Sequence, residues 1–229
     1  MKHASELIKN FESEQYNELL TDIYVDEHLL AYQNGRYIAA LQKFIKDFGD
    51  TEVSIFSAPG RSEVGGNHTD HQHGQVLAAS INLDAIAIVA KTSDDKIQVI
   101  SDGYDLITID ASDLSLVESE KETTTALIKG VAAGLKEHGH AVGGFKAYIT
   151  SDVLIGAGLS SSAAFETIIG TILSGLYNNG SVSAIEIAII GQYAENVYFG
   201  KPCGLMDQMA SSVGNLVHID FADPADPIV

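Results

Sequence analysis

The 229-residue chain is 45% hydrophobic and 19% charged, which supplies a packed core and excludes wholesale disorder. It carries 13 Lys and Arg against 31 Asp and Glu, a formal net charge of -18. That excludes a general nucleic-acid binder and disfavours an anionic membrane surface as partner. Its single cysteine, Cys203, excludes an internal disulfide and a multi-cysteine zinc site.

The first 48 residues read as helical and acidic. Leu7, Phe11, Leu19, Leu20 and Ile23 recur at helical spacing, Tyr37, Leu41, Phe44 and Ile45 do so again, and Gly49-Asp50 ends the region. There is no signal-peptide pattern at the start and no run of the ~18–20 apolar residues of a membrane span, so a cytoplasmic protein is expected. From Val53 the texture changes to short apolar runs divided by Gly-rich turns. Val53–Phe56, Ala85–Ala90, Ile97–Ile100, Lys146–Thr150 and Leu216–Asp220 read as strands. Thr124–His138 and Ala163–Tyr177 read as amphipathic helices. Ser183-Ala184-Ile185-Glu186 matches a capping box that opens a helix running to about Phe199, with Gly200 at its cap and Pro202 beyond.

Strands and helices mix without strict alternation, which predicts an α+β fold with a mixed sheet rather than a doubly wound one. The expected division is a helical extension over residues 1–50 and one domain over 51–229. The final run, Asp223 to Val229, reads as a chain stopping in a loop, so a fragment of a longer protein is expected.

Three stretches carry chemistry. Gly156-Ala157-Gly158-Leu159-Ser160-Ser161-Ser162 follows a strand-like segment and opens a helix. Glycines permit close backbone approach, and the free N–H groups of a helix start favour a phosphate. This is a local positive device of the kind an acidic chain needs for a nucleotide; the alternative is a plain Gly/Ser cap. The second stretch, Ala58 to Gly74, contains Arg61 in an expected turn, followed by Asn67, His68, Thr69, Asp70, His71 and His73. Polar groups this dense suit a ligand with several hydroxyls, a solvated loop, or a metal held by His68, Asp70, His71 and His73. The third, Pro202 to Met209, sets Asp207 among small and apolar neighbours. There it pairs with a cation, Arg61 being available, or serves as a base, or caps a helix. Glu195 either faces inward toward the serine-rich loop or is an ordinary solvated glutamate.

Together these stretches resemble the GHMP kinases, and within them the galactokinases. The galactokinase signature Gly-Arg-x-Asn-x-x-Gly-Glu-His-Thr-Asp-Tyr-x-x-Gly is similar to Gly60 through Gly74, the family's phosphate loop to Gly156–Ala164, and its Cys-Gly-Ile-Met-Asp-Gln run to Cys203–Gln208. The resemblance implies the GHMP-kinase N-terminal domain, of the ribosomal protein S5 domain 2-like fold, with the C-terminal domain absent. It implies ATP and Mg²⁺ as cofactors and galactose or a close relative as substrate, phosphorylated at its anomeric hydroxyl. It implies catalytic roles for Asp207 and Arg61, sugar contacts from Arg61, Asn67, His68, Asp70, Gly204 and Asp207, nucleotide contacts from Gly156–Ser162, and Mg²⁺ at Ser162 and Glu195.

Besides length, the chain departs from the family at three motif positions: the family's Glu before His-Thr-Asp is Asn67, its Tyr after Asp is His71, and its Asn after Gly-Arg-x is Glu63. These bear on the choice of sugar, leaving galacturonate, arabinose and N-acetylgalactosamine as alternatives to galactose. A non-catalytic sensor of sugar and ATP, or a kinase of another metabolite, are the rival readings.

Overall fold

The computed structural model describes residues 2–154, 156–223 and 227–229; residues 224–226 of the terminal run lie outside them. The chain begins with β1 (Lys2–His3), α1 (Ala4–Glu12), α2 (Asn17–Tyr24) and α3 (Leu30–Phe48). Two long strands follow, β2 (Glu52–Gly65) and β3 (Gln75–Lys91), then β4 (Lys96–Ser101), β5 (Ile107–Asp110), α4 (Thr124–Glu137) and β6 (Phe145–Ser151). The last part holds α5 (Ser161–Tyr177), α6 (Ala184–Tyr193), α7 (Met206–Val213) and β7 (Leu216–Asp220).

The apolar run Ala85–Ala90 explains the layering. A strand points alternate side chains to opposite faces, so an unbroken apolar run must be covered on both. Ala85, Ala87 and Val89 face a core shared with α4, α5 and α6. Ile86, Ile88 and Ala90 face a second core, closed by Leu7, Phe11, Leu20, Tyr37, Leu41 and Phe44 of the first three helices. The helical periodicity near the N-terminus is therefore the cover of one sheet face. Leu19 and Ile23 are exceptions, standing exposed although they fit the apolar spacing.

The strand order is β1-β2-β3-β6-β4-β5, with β7 pairing the far end of β3. All pairings are antiparallel except β4 with β6, so the sheet is mixed as the sequence predicts. Helix ends follow their signals: the Thr123 hydroxyl accepts from the Ala126 N–H, and that of Ser183 from the Glu186 N–H. Only half of the capping box forms, because the Glu186 carboxylate instead meets the rings of His138 and His140. The helix expected to run to Phe199 does so, but its end, Ala194–Phe199, is a π-helical turn.

The correction concerns residues 57–65 and 75–84. The expected turn around Arg61 is strand: Arg61 sits in β2 opposite Ser80 of β3. Register shifts at Pro59/Arg61 and Glu63/Gly65 mark bulges, where a strand tolerates proline and re-aims its side chains. The segment lacks apolar alternation because it serves a polar site.

A buried ion pair fastens α3 to the sheet. The Arg36 guanidinium donates to the Asp84 carboxylate at 2.6 Å and to the Asp84 carbonyl at 2.7 Å, and Tyr24 donates its hydroxyl to the same carboxylate at 2.9 Å. Asp84→Ala removes the nearer of the two carboxylates that face this buried cation, Asp152 at 3.3 Å being the other. It is expected to cost about 3 kcal/mol in urea unfolding; a loss under about 1 kcal/mol would show that Asp152 suffices to compensate Arg36.

Candidate active site

Arg61 is the centre of the site. Its Nε and Nη2 donate to the two carboxylate oxygens of Asp207, each at 2.7 Å, while Nη1 donates to the Gly158 carbonyl at 2.6 Å. The Arg61 backbone N–H donates to the Leu159 carbonyl at 3.1 Å. Ser160 adds a hydroxyl hydrogen bond to Asp207. One bidentate pair thus ties β2, the glycine loop and the first turn of α7 together. Gly60 makes the approach possible, since a side chain there would come within 2.8 Å of the Leu159 carbonyl. Burial alone would push the Asp207 carboxyl up, but hydrogen bonds from Arg61 and Ser160 and the nearby positive charge hold it below the usual carboxylate range. Asp207 is therefore an ion at neutral pH, and it lies in the first turn of α7 without capping it.

The glycine loop stands open on the other side. Gly156 and Gly158 have φ of 77° and 74°, a left-handed backbone that favours glycine, with open space where side chains would be. Ser161 and Ser162 begin the 17-residue helix α5 and line an open cavity of about 820 Å³. Its other walls include Tyr104, Thr123, Thr124, Thr125, Val153 and Phe165. That volume fits a nucleotide, and its wall combines hydroxyls and apolar groups with two carboxylates, Asp102 and Asp105. The threonines and Tyr104 were not anticipated, because they come from loops distant in sequence.

The polar turn lies beyond Arg61. Asp70 is buried, at 7% exposure, and accepts the Met206 N–H at 3.1 Å and the His71 N–H at 3.1 Å. Gly204 lies so close that an added Cβ would fall on the Asp70 carboxylate. Asn67 and His68 are consecutive left-handed residues, φ 53° and 49°, a conformation costly for side-chain-bearing residues. The Glu63 carboxylate restrains them, accepting the His68 N–H at 3.0 Å and pairing with its Nε2 at 3.0 Å. A carboxylate absent at position 67 is thus present at the end of β2, just before the turn, but directed toward His68. The four candidate metal residues do not converge: the His71 ring meets Asp70, the His68 ring Glu63 and the His73 ring the Ala222 carbonyl. Among the described residues no three His, Cys, Asp or Glu gather to hold a metal.

Glu195 proves buried, at 4% exposure. Gln208 donates its amide to Glu195 at 2.9 Å and to Glu166 at 3.0 Å. Glu166 was missed, although a lone Glu inside the apolar helix Ala163–Tyr177 was a usable signal. Burial and the Glu195 charge push its carboxyl well up. Burial also pushes the Cys203 thiol up, away from reactivity. Oε1 of Glu166 and Oε1 of Gln208 are buried without hydrogen-bond partners. Carboxylate and amide oxygens are donors of the kind Mg²⁺ takes, and Glu195 belongs to this cluster, whereas Ser162 stands on the wall of the cavity, which Glu195 does not line.

Comparison with known proteins matches this geometry. The profile "Galactokinase galactose-binding signature" matches residues 42–91, and "GHMP kinases N terminal domain" matches residues 126–215. The chain belongs to the GHMP kinases, in their galactokinase branch. It is 34% identical over 191 residues to the galactokinase of Lactococcus lactis, covering 82% of this chain and 48% of that one. It is 31% identical over 188 residues to that of Clostridium tetani, covering 81% and 47%. The crystal structure of the Lactococcus lactis galactokinase complexed with galactose superposes with a TM-score of 0.74 at 30% identity, over 82% of this chain and 49% of that one. The chain spans about half the length of these relatives. The α+β fold is that of the GHMP kinase N-terminal domain.

Two outcomes test this geometry. Gly204→Ala forces Asp70 aside; it is expected to cost about 1–3 kcal/mol of stability in urea unfolding, and an unchanged midpoint would show that the two segments separate freely. Asp207 has a folded pKa below its unfolded value. Its contribution is therefore present above the unfolded carboxylate value, roughly pH 4, and is lost as pH falls through the lower folded value. The stability difference between wild type and Asp207→Asn should hold constant from pH 7 to about 5 and shrink below roughly pH 4; a gap that widens on acidification would contradict the sign.

Proposed function

We propose that the chain is the sugar- and phosphate-binding part of an ATP-dependent sugar kinase acting on the anomeric hydroxyl of galactose or a close relative. The observation that carries this reading is the Arg61–Asp207–Ser160 junction, where β2, the glycine loop and α7 meet at one ion pair.

Asp70, His68, Asn67 and the backbone at Gly204 hold sugar hydroxyls, so that the anomeric oxygen lies against Asp207. The backbone of Gly156–Ser162 and the start of α5 hold the phosphates of ATP. Ser162 and Glu195 would hold Mg²⁺, which supplies charge neutralisation on the phosphates when bound. Arg61 orients Asp207 and stabilises negative charge as the phosphoryl group passes. A carboxylate held below its usual pKa is a weak base, so Asp207 takes the hydroxyl proton late, as the new bond forms. That order suits a loose phosphoryl-transfer transition state, in which positioning and charge stabilisation dominate.

Binding tests the reading on this chain. Galactose at ~100 times its dissociation constant should raise stability by ~2.7 kcal/mol, with a further rise on adding Mg-ADP. Galacturonate, arabinose and N-acetylgalactosamine run beside it show whether Asn67 redirects the choice. Stabilisation by no sugar would sink the sugar assignment. In a chain extended to the length of its relatives, Asp207→Ala should abolish ADP release with sugar still bound; near-normal turnover would remove Asp207 from its role.

A further inference from the structure

The root of the glycine loop is fastened to the N-terminal helices by contacts that core packing does not require. Asp152 is the first residue after β6, between Ser151 and Val153, which both line the nucleotide-sized cavity. Both of its carboxylate oxygens are engaged from α3. Tyr32 donates its hydroxyl to Oδ1 at 2.9 Å, and the Arg36 guanidinium stands 3.3 Å from Oδ2. Arg36 also donates to the Thr150 carbonyl at 3.5 Å, and Thr150 lines the cavity as well. On the backbone side, the Asp152 N–H donates to the Asp84 carbonyl at 2.9 Å.

These contacts separate into two groups. Arg36, Asp84, Tyr24 and Ser57 form a buried cluster in which the Asp84 carboxylate is already satisfied. The Asp152 arm is an addition to it, reached by a tyrosine that is 56% exposed. A lone carboxylate at this place would oppose an anionic ligand in a chain of net charge -18. Pairing with Arg36 offsets its charge, and the double grip fixes where the chain leaves β6 for the loop.

We propose that Tyr32 and Arg36 of α3 are positioning residues for the nucleotide: by holding Asp152 they set the start of the glycine loop and hence its affinity for phosphates. This rests on the reading of Gly156–Ser162 as the phosphate site. It assigns the N-terminal helices a task in binding as well as in covering the sheet.

Tyr32→Phe removes one exposed hydroxyl and leaves the buried cluster intact. Titration of the 229-residue chain with Mg-ADP should show about threefold to tenfold weaker binding, with an unchanged urea midpoint. In an Asp152→Ala background the same change should have no further effect, since the two groups act as one unit. Unchanged nucleotide affinity in Tyr32→Phe overturns the inference, as does an effect that persists undiminished in the Asp152→Ala background. A loss of affinity that tracks a falling midpoint overturns it too, by reducing the contact to a structural one. Failure of the wild-type chain to bind Mg-ADP overturns the phosphate-site reading itself, an outcome visible before any variant is compared.

Discussion

The site depends on one bidentate ion pair. Arg61 and Asp207 are 146 residues apart in sequence, and their two hydrogen bonds bring a strand of the sheet, the loop before α5 and the first turn of α7 to one point. In a chain with 13 basic residues and only two arginines, the placement of each guanidinium is consequential. Arg61 holds the chemistry together, and Arg36 holds the helices to the sheet. Both use the planar fork of the side chain to satisfy carboxylate and carbonyl oxygens at once, which a lysine could not do.

The surroundings are arranged so that this pair is buried yet serviceable. On one side the left-handed glycines keep the loop backbone uncovered; on the other, Asp70 is pinned to the start of α7 by the Met206 N–H. α7 therefore carries three groups to three places: Asp207 to Arg61, the Met206 amide to Asp70, and Gln208 to the buried glutamates. A helix of eight residues can do this because successive side chains point about 100° apart.

Much of this was legible in the sequence, for identifiable reasons. The helix Thr124–His138 and the apolar strands declare themselves because their periodicity reflects burial on a face, and the glycine loop because its composition has few other uses. The pairing of Arg61 with Asp207 could be anticipated as the natural partner for a carboxylate in an apolar setting. The strand character of residues 57–65 was hidden because pattern reading detects burial, and this segment spends its side chains on the site. Glu195 was read as either inward or solvated, since one glutamate on a helix gives no sign of its direction; the π-helical turn that carries it also shifts residue register in a way periodicity cannot show. The role of Glu63 required seeing two consecutive left-handed residues, which depend on backbone angles rather than residue type.

The two-sided burial of β3 has a consequence for handling the protein. Ile86, Ile88, Ala90 and Tyr148 are shielded only because the first 48 residues lie over them. A shortened clone starting at β2, a natural choice for anyone trimming to the conserved-looking motifs, would present that flat aliphatic face to water. Such surfaces stick to one another. Insolubility of that clone would report the missing cover, and the same cut would also remove Tyr32 and Arg36 and release Asp152 at the start of the glycine loop.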